Sequence, residues 1–194
     1  MTARIKPLSP PYEPEIVSIL DRMMGGSGLE PLALFRVVAH NKAILDKFRS
    51  TGSYLLNFGT IDPLEREIMI QRTCARAGSE YEWGVHALVY ASQVGLTDEQ
   101  LRSTVDGSAD DPVWTDRQRL LIRLADELSF TATVSEELWG GLEAEWSPEQ
   151  LVELVALAGQ YRLVSYLTNA FRVPLEPAAA RFPNVDEAGA PAGR

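Results

Sequence analysis

The chain has 194 residues, 45% of them hydrophobic and 23% charged, a balance that gives a globular protein with a sizeable core. Its 18 basic and 27 acidic residues leave a net charge of −9, so nucleic-acid backbones and anionic membrane surfaces are repelled, and no basic cluster offsets this. A single cysteine, Cys74, excludes an intrachain disulfide, a CxxC redox pair and a multi-cysteine metal site.

The N-terminal stretch lacks an apolar leader, and no apolar run is long enough to span a bilayer, so a cytoplasmic protein with no membrane partner is expected. Residues 1–14 are rich in proline and polar side chains and read as a loose tail. "PLALFRVVAHNKAILDKF" (Pro31 to Phe48) has apolar residues at helical spacing and predicts one helix, with His40 mid-helix as a structural residue. Asp62 is an N-cap, followed by Pro63 as first helical residue, Glu65 at the capping-box position and Gly78 as stop. A helix is expected over Ser79 to Gly95, and another after the N-cap Thr97. Beyond the polar link "GSADDPVW", helices are expected from Thr115 to about Leu128, Ser135 to about Glu145 and Ser147 to about Phe171. Residues 174–194 read as a second loose tail, which leaves 15–173 as one domain. With β-hairpin signals nearly absent, the fold class is all-α.

A weak internal repeat is visible: "TDEQL" (Thr97 to Leu101) lines up with "SPEQL" (Ser147 to Leu151) at an offset of 50. The second copy has no histidine, so any chemistry sits in the first.

On the helix from Ser79, the side chains of Ser79, Glu82 and His86 fall within a sector of roughly 60°, with Gln93 on the same edge and apolar or small residues elsewhere. A helix apolar nearly all round is buried, so this polar edge faces either an internal partner or a lined cavity. Glu82 and His86, at i and i+4, can touch, which suits proton transfer near neutral pH. Glu67, on the preceding helix, can reach the same space in an antiparallel pairing, with Gln71 and Cys74 on its face. The alternative is structural: Ser79 and Glu82 form an S-x-x-E capping box, and His86 is a core histidine. No metal set is expected from E-x-x-x-H, and "MMGGSGL" lacks the strand and lysine of a phosphate loop.

The segment "EREIMIQRTCARAGSEYEWGVHALVYASQVGLTDEQL" resembles the core of the carboxymuconolactone decarboxylase family, which includes the alkyl hydroperoxidase D branch. The likeness extends from about Pro31 to Phe171. It implies a helical bundle of the alkyl hydroperoxidase D-like type that assembles as a homo-oligomer, a dimer, trimer or hexamer. In the hydroperoxidase branch a glutamate precedes a C-x-x-C pair, and a histidine follows the second cysteine by four. Glu67 and His86 fit, but Ser79 and Glu82 stand at the cysteine positions, which removes both thiols of the usual peroxidase mechanism. The decarboxylase branch also places a glutamate four residues before its histidine.

The resemblance therefore implies cysteine-free acid–base chemistry, a decarboxylation, isomerisation or hydrolysis of a small carboxylated or lactone metabolite, with no cofactor. His86 is the expected proton donor or base, Glu82 its orienting partner and Glu67 a second carboxylate. Ser79, Trp83, Gln71 and Tyr90 are expected to bind substrate, and Arg72 or Arg76 is the cation nearest in sequence for a substrate carboxylate. Two alternatives stand beside this: a hydroperoxidase-like enzyme that uses Cys74, and a non-catalytic oligomeric small-molecule binding protein.

Overall fold

The computed structural model describes residues 2–183 and is all-helical, with no strand among them. In chain order the α-helices are α1 (Pro14–Met23), α2 (Ala33–Val38), α3 (Lys42–Asn57), α4 (Pro63–Arg76), α5 (Glu80–His86), α6 (Ser92–Val94), α7 (Asp98–Asp106), α8 (Asp116–Thr131), α9 (Glu136–Glu145) and α10 (Pro148–Phe171). A π-helical turn, Ala87–Ala91, joins α5 to α6. Several helix starts have a local cause. Asp62 Oδ1 accepts from Leu64 N at 2.9 Å, and Pro63 follows at N1. Thr97, Thr115 and Ser147 each form a reciprocal capping box with the glutamine three residues on. Gly78, at φ +63°, supplies the left-handed residue that ends α4.

The core is organised around α4, in which every residue from Glu67 to Cys74 is buried. This helix packs on α8, α10, α5 and α7. Its buried run includes three strongly polar side chains, Glu67, Gln71 and Arg72, and burial of such groups is costly without partners. Arg72 is satisfied internally. Its Nε and Nη2 donate to the two oxygens of Asp126 on α8, at 2.6 and 2.8 Å. Its Nη1 donates to the carbonyls of Ser103, Thr104 and Gly107 at 3.0–3.2 Å. Arg76 shares Asp126 from one turn on, at 2.7 and 3.1 Å.

Several expectations are corrected. The helix expected over Pro31–Phe48 is two helices, because Asn41 takes an extended conformation and its side chain accepts from Ile44 N, capping α3. His40 lies at that break rather than mid-helix, with Nε2 3.0 Å from the Lys6 carbonyl. The helix expected over Ser79–Gly95 is interrupted by the π turn. Glu65 belongs to no capping box; its carboxylate accepts from Arg117 and from Trp146 Nε1. Residues 2–13 are tied down rather than loose: Arg4 N donates to the Phe171 carbonyl at 2.8 Å, and Leu8 N to that of Arg36 at 3.2 Å.

Residues 174–183, read as the start of a loose tail, form a strap across α5; the rest of that tail lies outside the described residues. Glu176 accepts from Ala33 N at 2.6 Å and from the Tyr81 hydroxyl, Ala180 N donates to the Gly84 carbonyl at 3.3 Å, and Phe182 meets the Trp83 ring edge-on at 5.4 Å. The strap passes so close that a Cβ on Gly84 would lie 2.1 Å from the Ala180 carbonyl oxygen. Gly84→Ala is therefore expected to displace the strap at a cost of roughly 1–3 kcal/mol. The check is limited proteolysis with mass mapping: cleavage within 174–183 should accelerate well beyond cleavage elsewhere, and an unchanged digestion pattern would refute the close packing.

Candidate functional site

The polar edge of α5 faces both an internal partner and a cavity. His86, buried at the end of α5, donates from Nδ1 to Glu67 Oε2 of α4 at 2.8 Å. Its Nε2 lies 3.5 Å from Glu82 Oε1, an ion-pair distance longer than a good hydrogen bond. Glu67 uses its other oxygen toward Arg66 Nε at 3.4 Å. The imidazole is packed between Tyr90 of the π turn, with ring centroids 4.8 Å apart, and Tyr161 of α10, edge-on at 5.0 Å.

Burial alone would lower the His86 pKa, but the charge and hydrogen bonds of Glu67, reinforced by Glu82, outweigh it and push the value up to about 9. That direction favours the imidazolium at neutral pH, with Nδ1 hydrogen-bonded to Glu67 and Nε2 facing the Glu82 carboxylate at ion-pair distance. Burial also pushes the Tyr161 phenol well above its ordinary value, with Glu82 and Glu67 adding to the effect, and it raises Tyr90 too. Both phenols stay neutral donors.

Glu82 and His86 form part of the wall of a cavity of about 540 Å³. Apolar side chains such as Leu32, Phe35, Phe48, Leu56, Val85 and Val164 supply most of the rest, with Tyr90 and Tyr161 beside the imidazole. An apolar pocket with a few convergent polar groups is the ordinary form of a small-molecule site. The π turn places Leu88, Val89 and Tyr90 in succession on this wall, a single-turn irregularity of the kind that recurs at functional sites. The same turn carries Gln93 off the His86 edge, where its side chain bonds back to the Val89 carbonyl.

The two carboxylates are placed differently: Glu67 is fully buried and hydrogen-bonded to the imidazole, whereas Glu82 lies on the cavity wall. Of the residues expected to bind substrate, Tyr90 lines this cavity. Ser79 does not: its hydroxyl pairs with that of Thr168 at 2.8 Å in the core, and it caps nothing, so the S-x-x-E capping box is absent. Trp83 faces the other side of α5, where its Nε1 donates to Thr104 Oγ1 at 2.9 Å and its ring borders a separate recess of about 420 Å³. Gln71 is fully buried off the cavity wall, with neither side-chain polar atom hydrogen-bonded to a described residue. Arg72 and Arg76 are spent on Asp126 and line neither cavity. Cys74 is fully buried among these helices, and burial, with Glu82 adding to it, pushes its thiol well above the usual range.

Tyr161, Gln160, Arg22 and Arg49 line the cavity without having been singled out in the sequence. They come from helices far from α5 in the chain, and no short-range spacing links them to His86.

No family model matches the sequence. Over 117 residues it is 26% identical to the uncharacterized protein YnjA of Escherichia coli (strain K12), which covers 60% of this chain and 63% of that protein, so the match spans about three-fifths of the relative's length. Solved structures share the fold at low identity. The debrominase Bmp8, as a single-residue variant in complex with 2,3,4-tribromopyrrole, superposes with a TM-score of 0.76 at 16% identity, over 92% of this chain and 94% of its own. An uncharacterized peroxidase-related protein from Silicibacter sp. TM1040 gives 0.76 at 15% identity, over 91% and 93%. A protein of unknown function from Agrobacterium tumefaciens, a candidate antioxidant defence protein AhpD, gives 0.64 at 16%, over 72% and 94%. The fold is thus the alkyl hydroperoxidase D-like helical fold, as expected.

Proposed function

We propose that the protein is an enzyme that moves protons without a thiol, catalysing decarboxylation, isomerisation or hydrolysis of a small carboxylated or lactone metabolite. The observation that carries this is the relay Glu67–His86–Glu82, which begins in the core and ends on the wall of an apolar cavity. Glu67 fixes the imidazole through Nδ1–H, so the proton on Nε2 is the one directed toward the cavity side. Glu82, beside it, accepts a proton from a substrate carbon or from water. In an isomerisation Glu82 takes the proton and Nε2–H returns one elsewhere on the substrate. In a decarboxylation Nε2–H protonates the carbon that CO₂ leaves. The resemblance to the carboxymuconolactone decarboxylase family supports this chemistry, and the tribromopyrrole held by the debrominase supports a compact planar occupant for this fold.

The test is a panel of unsaturated and β-keto acids and lactones, followed by NMR in D₂O for CO₂ loss, ring opening or deuterium uptake at carbon. Turnover by the wild type that disappears in Glu82→Gln and His86→Gln is expected. Binding without any exchange or turnover would instead favour a small-molecule binding protein.

A thiol route through Cys74 is not favoured, since a nucleophilic thiol needs a lowered pKa and access, and Cys74 has neither. The folded protein is expected to leave Ellman's reagent and hydrogen peroxide unconsumed on the minutes timescale, with one thiol appearing in denaturant. Sulfenic acid trapped at Cys74 in the native protein would reverse this expectation.

A further inference from the structure

The cavity that ends at Glu82 and His86 also has two cations on its wall, Arg22 from α1 and Arg49 from α3. Arg22 is exposed, and its Nε donates to the Ser18 carbonyl of its own helix at 3.1 Å. Arg49 is in a different state. Its side chain is three-quarters buried, its Nη2 lies 3.2 Å from Asp46 Oδ1 one turn away, and its Nε is buried with no hydrogen-bond partner among the described residues. A guanidinium is always charged and offers five donors, so the Nη donors that Asp46 leaves unfilled on the exposed quarter of this side chain are open to an acceptor in the cavity. Asp46 takes only one of those donors. The wall's carboxylate from the strap, Glu176, is already held by Ala33 N and the Tyr81 hydroxyl. Phe48, Gly52 and Leu56 of the same helix make the surface around the guanidinium largely apolar.

We infer that Arg49 is the specificity-determining residue of this site. It binds the carboxylate of a small, otherwise apolar monoanion, whose remaining atoms extend along the cavity toward His86 and Glu82. The inference rests on the acid–base reading for what happens to that substrate, but the anion-binding step stands by itself. A planar carboxylate matches the paired Nη donors in a two-point contact that an ammonium cannot copy. Arg22, at the rim, adds attraction for anions that the net charge of −9 otherwise repels.

Isothermal titration of the full chain at pH 7 with 2-naphthoate and its neutral isostere 2-naphthamide tests this. The wild type is expected to bind naphthoate about tenfold or more tightly than naphthamide. Arg49→Met is expected to lose about 10- to 100-fold of the naphthoate affinity and none of the naphthamide affinity, and Arg49→Lys to regain only part of the loss. Equal affinity of the wild type for the two ligands, no naphthoate binding at millimolar concentration, or an Arg49→Met protein that melts like the wild type yet keeps the preference overturns the inference. If Arg49→Met does not fold, Arg49→Gln carries the same comparison. A carboxylate preference that persists while no proton-transfer activity is found upholds the role of Arg49 and sinks the acid–base reading. Turnover of neutral substrates with no such preference does the reverse.

Discussion

Replacing Arg72 by methionine is expected to destabilise the protein by about 3–5 kcal/mol, the range for removing one partner of a buried ion pair. Arg72 is fully buried, and all of its hydrogen bonds run to α8, α7 and the turn that follows α7. Methionine fills much of the volume but leaves three inward-facing carbonyls short of a donor, and it leaves Asp126 with Arg76 alone. Asp126 is disfavoured as an anion by burial, and only the two arginines hold its carboxyl below the ordinary range. A chain of this length loses roughly 2–4 °C of melting temperature per kcal/mol, so a fall of roughly 6–20 °C is expected. Urea unfolding measures it directly. Arg76→Met, at a half-buried position sharing the same carboxylate, should cost clearly less. Equal and small losses for both would mean that the Asp126 cluster is a minor contributor, and would reopen Arg72 as a ligand-binding cation.

Arg72 also illustrates which parts of the molecule were legible in the sequence. Caps were legible because they are local: Asp62–Pro63, Thr97 and the starts at Thr115, Ser135 and Ser147 each act within three residues, and each holds in the structure. The pairing of His86 with both glutamates was legible for a similar reason. Glu82 lies one turn away, and Glu67 sits on the adjacent helix joined by a short turn. The break at Asn41 was masked because apolar spacing runs through Val37 and Val38 while the cap is a single side chain. The π turn leaves no compositional mark at all, yet it breaks the 3.6-residue period on which the expected Ser79–Gly95 face was drawn. The destinations of Arg72, Ser79 and Trp83 depend on partners 21–89 residues away, and spacing along one helix cannot report those. The cavity is assembled from α1, α2, α3, α5, α10 and the strap, so its cations were the least visible feature.

The state of His86 leads to the second large effect. Its folded pKa of about 9 lies above the ordinary value of 6.5, so protonated His86 favours the folded state, a contribution fully present below about pH 6.5 and lost as pH rises through about 9. The difference corresponds to on the order of 3 kcal/mol, largely supplied by Glu67. Glu67→Gln keeps the shape and a hydrogen-bond acceptor but removes the charge, leaving desolvation to pull the imidazole down. In urea titrations at pH 6, 7.5 and 9.5, the wild type should therefore lose stability across the range relative to Glu67→Gln, whose profile should be flatter. In a His40→Gln background the remaining imidazole can be followed by ¹⁵N NMR, and Glu67→Gln should shift its titration markedly downward. The same substitution should lower turnover about 10²- to 10⁴-fold at neutral pH, since the proton on Nε2 is no longer held in place. An imidazole that titrates alike in both proteins would show that Glu67 does not set the charge of His86, and the relay would lose its donor.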